Sequence, residues 1–350
     1  MTQHPLGIAL IGAGNISRQY LANLVASDDV VVLAVTDVVE AAAAERAAEF
    51  DIPTWGLPEL IWERDDIDLV INLTIPAVHA EVSERALLAG KHVWSEKPLA
   101  HSVESGRRLV ALAEETGLRL GCAPDTFLGP GLQGAFAAAR EGAIGTPRFA
   151  RAVMRYQGPE SWHPNPAFLY APGAGPLFDM GPYYLTALVH LLGPVTSVVA
   201  LGDRPTDSRT IATGPLAGTE FSVGTDSTIT ALLRFESGAS ASLQFSFDAP
   251  ASVPVQFEVI GSEGILLLSD PNDFSGAVTV VTADGERVLD IAAETTTRGL
   301  GVIEMAAAIR DGRPHAASAD IALHVLDIME TVMASIVSGA LEPVSTTTTT

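Results

Sequence analysis

Apolar residues fall in short unbroken runs over the first third of the chain and alternate with polar ones over much of the second half. Leu6–Ile11, 30–36, 68–73, 92–95 and 118–122 are strand-length and apolar almost throughout. Helical spacing lies between them at 16–26, 39–50, 76–89 and 102–116. Pro76 suits the first turn of its helix, and Gly90 and Gly117 suit left-handed stops. Strands buried on both faces and separated by helices predict a parallel sheet covered on each side.

The pattern changes after Cys122. Segments 127–141 and 179–192 read as helices stopped at Gly142 and Gly193, and 158–176, rich in Pro, Gly and aromatics, reads as a long loop. From 195 to 290 strand follows strand across turns such as Glu236-Ser237-Gly238 and Asp284-Gly285, which predicts antiparallel pairing. Helices at 300–311 and 318–338 close the pattern. The expected fold is α/β: an N-terminal doubly wound parallel sheet of Rossmann type over 1–123, and a C-terminal α/β domain with a large, mainly antiparallel sheet over 124–344. The Thr-rich residues 345–350 are expected to be a disordered tail. In 228–235 and 239–247 one face carries Ile229, Ala231, Leu233, Phe235, Leu243, Phe245 and Phe247. The other carries Thr228, Thr230, Ser240, Ser242, Gln244 and Ser246, either a wet sheet face or a weakly charged one suited to a homodimer or homotetramer.

Composition narrows the function. Asp and Glu number 42 against 20 Lys and Arg, a net charge of −22, which disfavours nucleic acid and anionic membranes. One cysteine among 350 residues excludes an internal disulfide, and with no basic leader at the start it fits a cytoplasmic protein. Apolar runs such as 30–35 are shorter than a membrane span requires. Only two of the basic residues, Lys91 and Lys97, are lysines.

Gly12-Ala13-Gly14-Asn15-Ile16-Ser17 joins a strand to a helix, the setting of a dinucleotide-binding turn. Gly12 permits the turn, Gly14 admits a pyrophosphate to the backbone N–H groups of Asn15 and Ile16, and Ser17 stands where a third glycine is usual. Asp37, at the end of the second strand, would accept from the adenosine ribose and repel a 2′-phosphate, so NAD is expected rather than NADP. Glu96-Lys97-Pro98 leaves the 92–95 strand at the carboxyl edge, where ligands of such sheets bind. Pro98 restricts Lys97 to extended backbone, and lysine, unlike arginine, can exchange a proton.

With Thr74-Ile75-Pro76-Ala77-Val78-His79, Gly90-Lys91-His92-Val93, residues 142–145 and residues 173–183, these motifs resemble the Gfo/Idh/MocA oxidoreductases over nearly the whole chain. The resemblance implies a cofactor site that includes Thr74, Pro76, His79, Glu96 and Lys97, and a general acid/base on a second-domain helix. Tyr183 stands where many members have histidine, four residues after Asp179, and Thr186 replaces a commonly seen later Asp. A phenol titrates near 10 unless a neighbouring ammonium lowers it, so Lys97 and Tyr183 are expected to form a proton-transfer pair with Asp179 orienting it. Asp125 is either a nicotinamide neighbour or a turn former. Trp162, His163 and Tyr170 are either substrate-pocket walls or loop packing. His190 lies two turns beyond Tyr183. No His, Asp or Glu cluster has metal-ligand spacing. The expected function is NAD-dependent oxidation or reduction of a polyol, sugar or sugar derivative. An NAD-retaining glycosidase and a non-enzymatic cofactor sensor are the alternatives.

Overall fold

The computed structural model describes residues 4–291 and 297–348. Contacts divide the chain into two compact units, Met1–Gly129 with Glu294–Leu326, and Pro130–Ala293 with Asp327–Thr350. The first unit therefore takes back a late segment that the expected division at 123/124 leaves in the second.

In the first unit the chain runs β1 (Leu6–Ile11), α1 (Asn15–Leu24), β2 (Val30–Thr36), α2 (Glu40–Glu49), β3 (Thr54–Gly56), β4 (Leu69–Asn72), α3 (His79–Leu88), β5 (His92–Ser95), α4 (Val103–Thr116) and β6 (Leu120–Cys122). The six strands form one parallel sheet, β3-β2-β1-β4-β5-β6, whose order reverses between β1 and β4. β1, β4 and β6 are buried at every position, as their unbroken apolar runs require. β3 was not expected: three residues with an exposed Trp55 carry no strand-length pattern, and only pairing to β2 makes them a strand. Ser102 caps α4, its hydroxyl accepting from Ser105 N–H at 3.2 Å, and Gly117 ends the helix in the left-handed region.

In the second unit α5 (Pro130–Arg140), β7 (Pro147–Arg155), α6 (Pro176–Leu192), β8 (Val195–Asp203), β9 (Ser208–Thr210), β10 (Glu220–Ser222), β11 (Thr228–Phe235), β12 (Ser240–Ser246), β13 (Gln256–Gly261), β14 (Gly264–Leu268), β15 (Thr279–Thr282) and β16 (Gly285–Val288) follow in order. The expected helix from 127 begins instead at Pro130, because Gly129, preceding proline, is held extended. Downstream, α7 (Leu300–Asp311) belongs to the first unit. α8 (Ala319–Ser338) begins in the first unit and ends in the second, and β17 (Glu342–Pro343) pairs with β8. The nine-stranded sheet β16-β15-β14-β13-β7-β12-β11-β8-β17 is antiparallel except at β12–β7.

β11 and β12 pair with Ile229 opposite Phe245 and Ala231 opposite Leu243, which puts the seven apolar residues named above on one buried face. Pairing with β8 places Leu232 beside Val199 and Thr230 beside Leu201 on the other face. α6 packs against β7, β11 and β12 and buries every residue from Gly181 to Val189.

The tail is not free where it is described. Asp327 is buried, and its Oδ2 accepts from Ser345 N–H at 2.9 Å, Ser345 Oγ at 2.7 Å and Thr346 N–H at 2.7 Å. A buried carboxylate demands such donors, and residues 345 and 346 supply them. Residues 349 and 350 lie outside the described residues. α8 is long and apolar enough to cross a membrane, with mean hydropathy 1.6 over 18 residues, which no unbroken apolar run in the sequence suggested. Of that window 61% is buried within the protein, as in a core helix.

Gly301 marks a close approach in the first unit, since a Cβ there would stand 2.0 Å from the Trp94 ring. Trp94 is fully buried and its indole N–H is hydrogen-bonded, so the ring cannot move aside. Gly301→Ala is expected to destabilise the protein by about 1–3 kcal/mol. Urea denaturation would measure the loss, and an unchanged midpoint would contradict this packing.

Candidate active site

The cofactor motif lies at the carboxyl ends of β1, β2, β4 and β5. Gly12 sits at φ +103°, and a Cβ there would meet the Leu73 carbonyl oxygen at 2.5 Å, so β1 can turn beside β4 only with glycine. Gly14 precedes α1, open space lies where its side chain would be, and no side chain caps the helix. This bare N-terminus, with Asn15 and Ile16 in its first turn, suits a pyrophosphate. Ser17 is fully buried and does more than fill the third-glycine position. Its hydroxyl donates to Gly14 O at 2.6 Å and accepts from Arg46 Nε at 2.9 Å, tying α1 to α2.

Asp37 Oδ2 accepts from Ala13 N–H at 2.7 Å and Oδ1 from Val39 N–H at 2.8 Å, which fixes its carboxylate over the glycine turn. Val38 beside it is 81% exposed and Ile75, after β4, is 66% exposed. Uncovered apolar residues at that edge can flank an adenine ring. Sequence reasoning passed over both, because isolated exposed valines and isoleucines are common.

Thr74 donates its hydroxyl to Asn72 Oδ1 at 2.6 Å, and Asn72 Nδ2 donates to His79 O at 2.9 Å. The buried His79 ring places Nδ1 2.8 Å from Pro98 O and Nε2 3.0 Å from Thr74 O, joining the loop that contains Pro76 to the Glu96-Lys97-Pro98 segment. The Lys97–Pro98 bond is cis. Glu96 Oε2 accepts from Lys97 N–H at 3.0 Å and Oε1 from the Tyr20 hydroxyl at 2.9 Å, while Trp94 Nε1 donates to Tyr20 Oη at 3.1 Å. Tyr20 and Trp94 were not foreseen, since an apolar-face tyrosine and a strand tryptophan look like core. Cys122 lies in the same neighbourhood, where burial and Glu96 push its thiol well up and Lys97 opposes them.

Asp125 forms the expected turn, its carbonyl accepting from Leu128 N–H at 3.1 Å, and its side chain does more. It is fully buried, and its Oδ2 accepts from Gly299 N–H at 2.8 Å and Gly301 N–H at 3.2 Å, holding the start of α7, with Arg298 3.6 Å from Oδ1. Burial pushes its carboxyl up, partly offset by Arg298. The partners lie more than 170 residues along the chain, so nothing local announces them.

In the second unit Asp179 and Tyr183 share one face of α6, one turn apart, with Asp179 near the positive end of the helix. Tyr183 and Thr186 are buried, and Pro182 leaves the Phe178 carbonyl without its helical donor. His190 stacks on Phe136 at 5.2 Å, and burial with nearby Arg140 lowers it to about 4, so it is a packed neutral ring. Tyr170 is a core residue rather than a substrate handle: it is fully buried, donates to Glu160 and lies 5.1 Å under the Arg209 guanidinium. Arg209 also pairs with Asp248, and both line a cavity of about 300 Å³ with Gln157, Thr206 and Ser208. Trp162 stays 58% exposed, edge-on to His163, which in turn meets Phe168 edge-on. Among the described residues no group of three or more His, Cys, Asp or Glu could hold a metal ion.

A parallel sheet reversing at β1/β4, a glycine turn into a bare helix N-terminus and a carboxylate ending β2 define a dinucleotide-binding fold. The chain matches the NAD-binding Rossmann fold of an oxidoreductase family over residues 6–123 and the GFO/IDH/MocA C-terminal domain over 133–267. It belongs to the GFO/IDH/MocA family and is an NAD-binding oxidoreductase. It is 35% identical to a dTDP-3,4-didehydro-2,6-dideoxy-alpha-D-glucose 3-reductase of Streptomyces antibioticus, over 54% of this chain and 57% of that protein. It is 29% identical to a 1,5-anhydro-D-fructose reductase of Ensifer adhaerens, over 81% of this chain and 82% of that one. A levoglucosan dehydrogenase solved with NADH and L-sorbose shares the fold, with TM-score 0.85 and 21% identity over 98% of this chain and all of the other.

Gly12→Ala adds a methyl against the Leu73 carbonyl in a backbone conformation that alanine rarely adopts. NADH titrated by fluorescence is expected to bind at least about a hundredfold more weakly, in line with loss of the turn that brings the backbone to the pyrophosphate.

Proposed function

We propose that this protein oxidises or reduces a sugar, polyol or sugar derivative, with Lys97 and Tyr183 as the proton-transfer pair. The observation that carries the reading is the placement of one of only two lysines at the carboxyl edge of the dinucleotide sheet, its backbone N–H held by Glu96. Lys91, the other, is buried and donates to Arg64 O at 2.5 Å. Relatives named for an anhydro-sugar and for dTDP-linked sugars support the substrate class.

When bound, NAD supplies the hydride acceptor or donor. Tyr183 takes the proton from the substrate hydroxyl, or returns it to a carbonyl. The Lys97 ammonium favours the phenolate and polarises the reacting oxygen, and Asp179, one turn before Tyr183, orients the group. Asp37 with an apolar, uncharged Val38 after it favours NAD over NADP, because a 2′-phosphate would meet a carboxylate and no cation there. Trp162 and His163 offer an exposed aromatic surface on which the C–H face of a sugar can rest.

Tyr183→Phe and Lys97→Met are each expected to lower turnover about 100- to 10,000-fold, the usual value of a positioned acid or base, with NADH affinity kept. Near-normal turnover in both would overturn the mechanism. A panel of polyols, sugars and glycosides tests the class: net NADH supports it, product without net NADH marks a hydrolase, and neither marks a sensor.

The outer face of the nine-stranded sheet carries Leu201 at 75% exposure and Leu232 at 54%, with Val199 and Thr230 in register between them. We infer that a second copy of this chain covers this face. Leu232→Arg is expected to reduce the mass measured by light scattering to that of one chain, and an unchanged mass would remove the interface from this face.

A further inference from the structure

We propose that Tyr20 is a positioning residue for Lys97, linking the cofactor helix α1 to the reacting amine through Glu96. The inference rests on the reading of Lys97 given above. Three hydrogen bonds in series carry it. The Trp94 indole N–H donates to Tyr20 Oη at 3.1 Å, the Tyr20 hydroxyl donates to Glu96 Oε1 at 2.9 Å, and Glu96 Oε2 accepts from Lys97 N–H at 3.0 Å. Trp94 and Glu96 lie two residues apart at the end of β5, so one phenol from α1 bridges both.

The direction of the chain is set by its ends. An indole N–H can only donate and a carboxylate can only accept, so the phenol must accept from one and donate to the other. Bonds in such a series polarise one another, which strengthens each beyond its isolated value. Tyr20 is fully buried, and the charged groups facing it are Glu96, Asp125 and Arg298. Burial and the two carboxylates hold it well above the usual phenol range, so the hydroxyl remains a donor at every working pH.

The consequence is geometric. α1 begins at the turn that meets the dinucleotide, and the same helix, one and a half turns further on, holds the carboxylate that orients the Lys97 backbone. A shift of α1 on cofactor binding would therefore be passed to Lys97 through a fixed chain of bonds. Phenylalanine would fill the same volume and break the chain at its middle link.

The test uses the whole protein, comparing wild type, Tyr20→Phe, Lys97→Met and the double variant. Because the chain has two lysines, reductive 13C-methylation gives resolvable signals for Lys91 and Lys97. In Tyr20→Phe the Lys97 signal is expected to move while that of Lys91 stays. Turnover is expected to fall about tenfold with NADH affinity within about twofold of wild type. In the Lys97→Met background the same substitution should cost nothing further, as for two residues acting through one interaction. An unmoved Lys97 signal, or an equal loss of turnover in both backgrounds, would overturn the link. If Lys97→Met alone turns over normally, the reading of Lys97 fails, whereas the NMR comparison still decides whether Tyr20 governs the lysine. Should Tyr20→Phe not fold, Glu96→Gln removes the carboxylate but leaves the Tyr20 hydroxyl an acceptor, and the same pair of signals decides.

Discussion

A parallel sheet cannot satisfy the backbone where its strands end. Each strand leaves the carboxyl edge into a turn that keeps a bond or so to the neighbouring strand, as Gly12 N–H does to Thr36 O, before its remaining N–H and C=O groups must find other partners, and a buried unpaired group costs about 1–3 kcal/mol. In the first unit these groups are met by side chains: Asp37 accepts from Ala13 and Val39, His79 spans the Thr74 and Pro98 carbonyls, and Glu96 accepts from Lys97. At Gly12 itself the backbones of β1 and β4 approach too closely to admit a Cβ, so the turn there is left to glycine.

This constraint separates what the sequence disclosed from what it hid. Strands β1 and β2 were legible to the residue, because their apolar runs are unbroken and end sharply, β1 buried throughout and β2 at all but Val31 and Leu33. The glycine turn was legible because only glycine fits at position 12, and Asp37 and Lys97 follow the ends of β2 and β5 as the sequence placed them. Tyr170 and Asp125 were left between two roles, and for one reason. Each is a polar residue in a loop, and its role depends on partners brought by the fold from 10 to 176 positions away. Tyr20 and Trp94 were missed for the complementary reason, since their apolar bodies match the core pattern and conceal the two polar atoms that act.

Ser17 and Arg46 show how a departure from a motif is absorbed. A third glycine would let α1 press closely on the sheet, and serine there adds a hydroxyl to a fully buried position. The hydroxyl is satisfied twice, by Gly14 O and by Arg46 Nε, and Arg46 in turn pairs with Glu49, which also holds Arg18. The substitution thus trades close packing for a polar tie between the first two helices, and the glycine turn stays where the dinucleotide needs it.

Charge usage has the same logic. In a chain of net charge −22, most positive charges are arginines, and many of these form ion pairs with a carboxylate. A planar guanidinium suits a fixed pair and cannot release its proton. Lysine is kept for two positions. Lys91 is buried and points its ammonium at the Arg64 carbonyl oxygen. Lys97 stands at the carboxyl edge of the sheet, where Glu96 accepts from its backbone N–H. A backbone N–H held in this way fixes where the side chain starts, and on the proposed reading it places there an amine, which unlike a guanidinium can exchange a proton with a substrate.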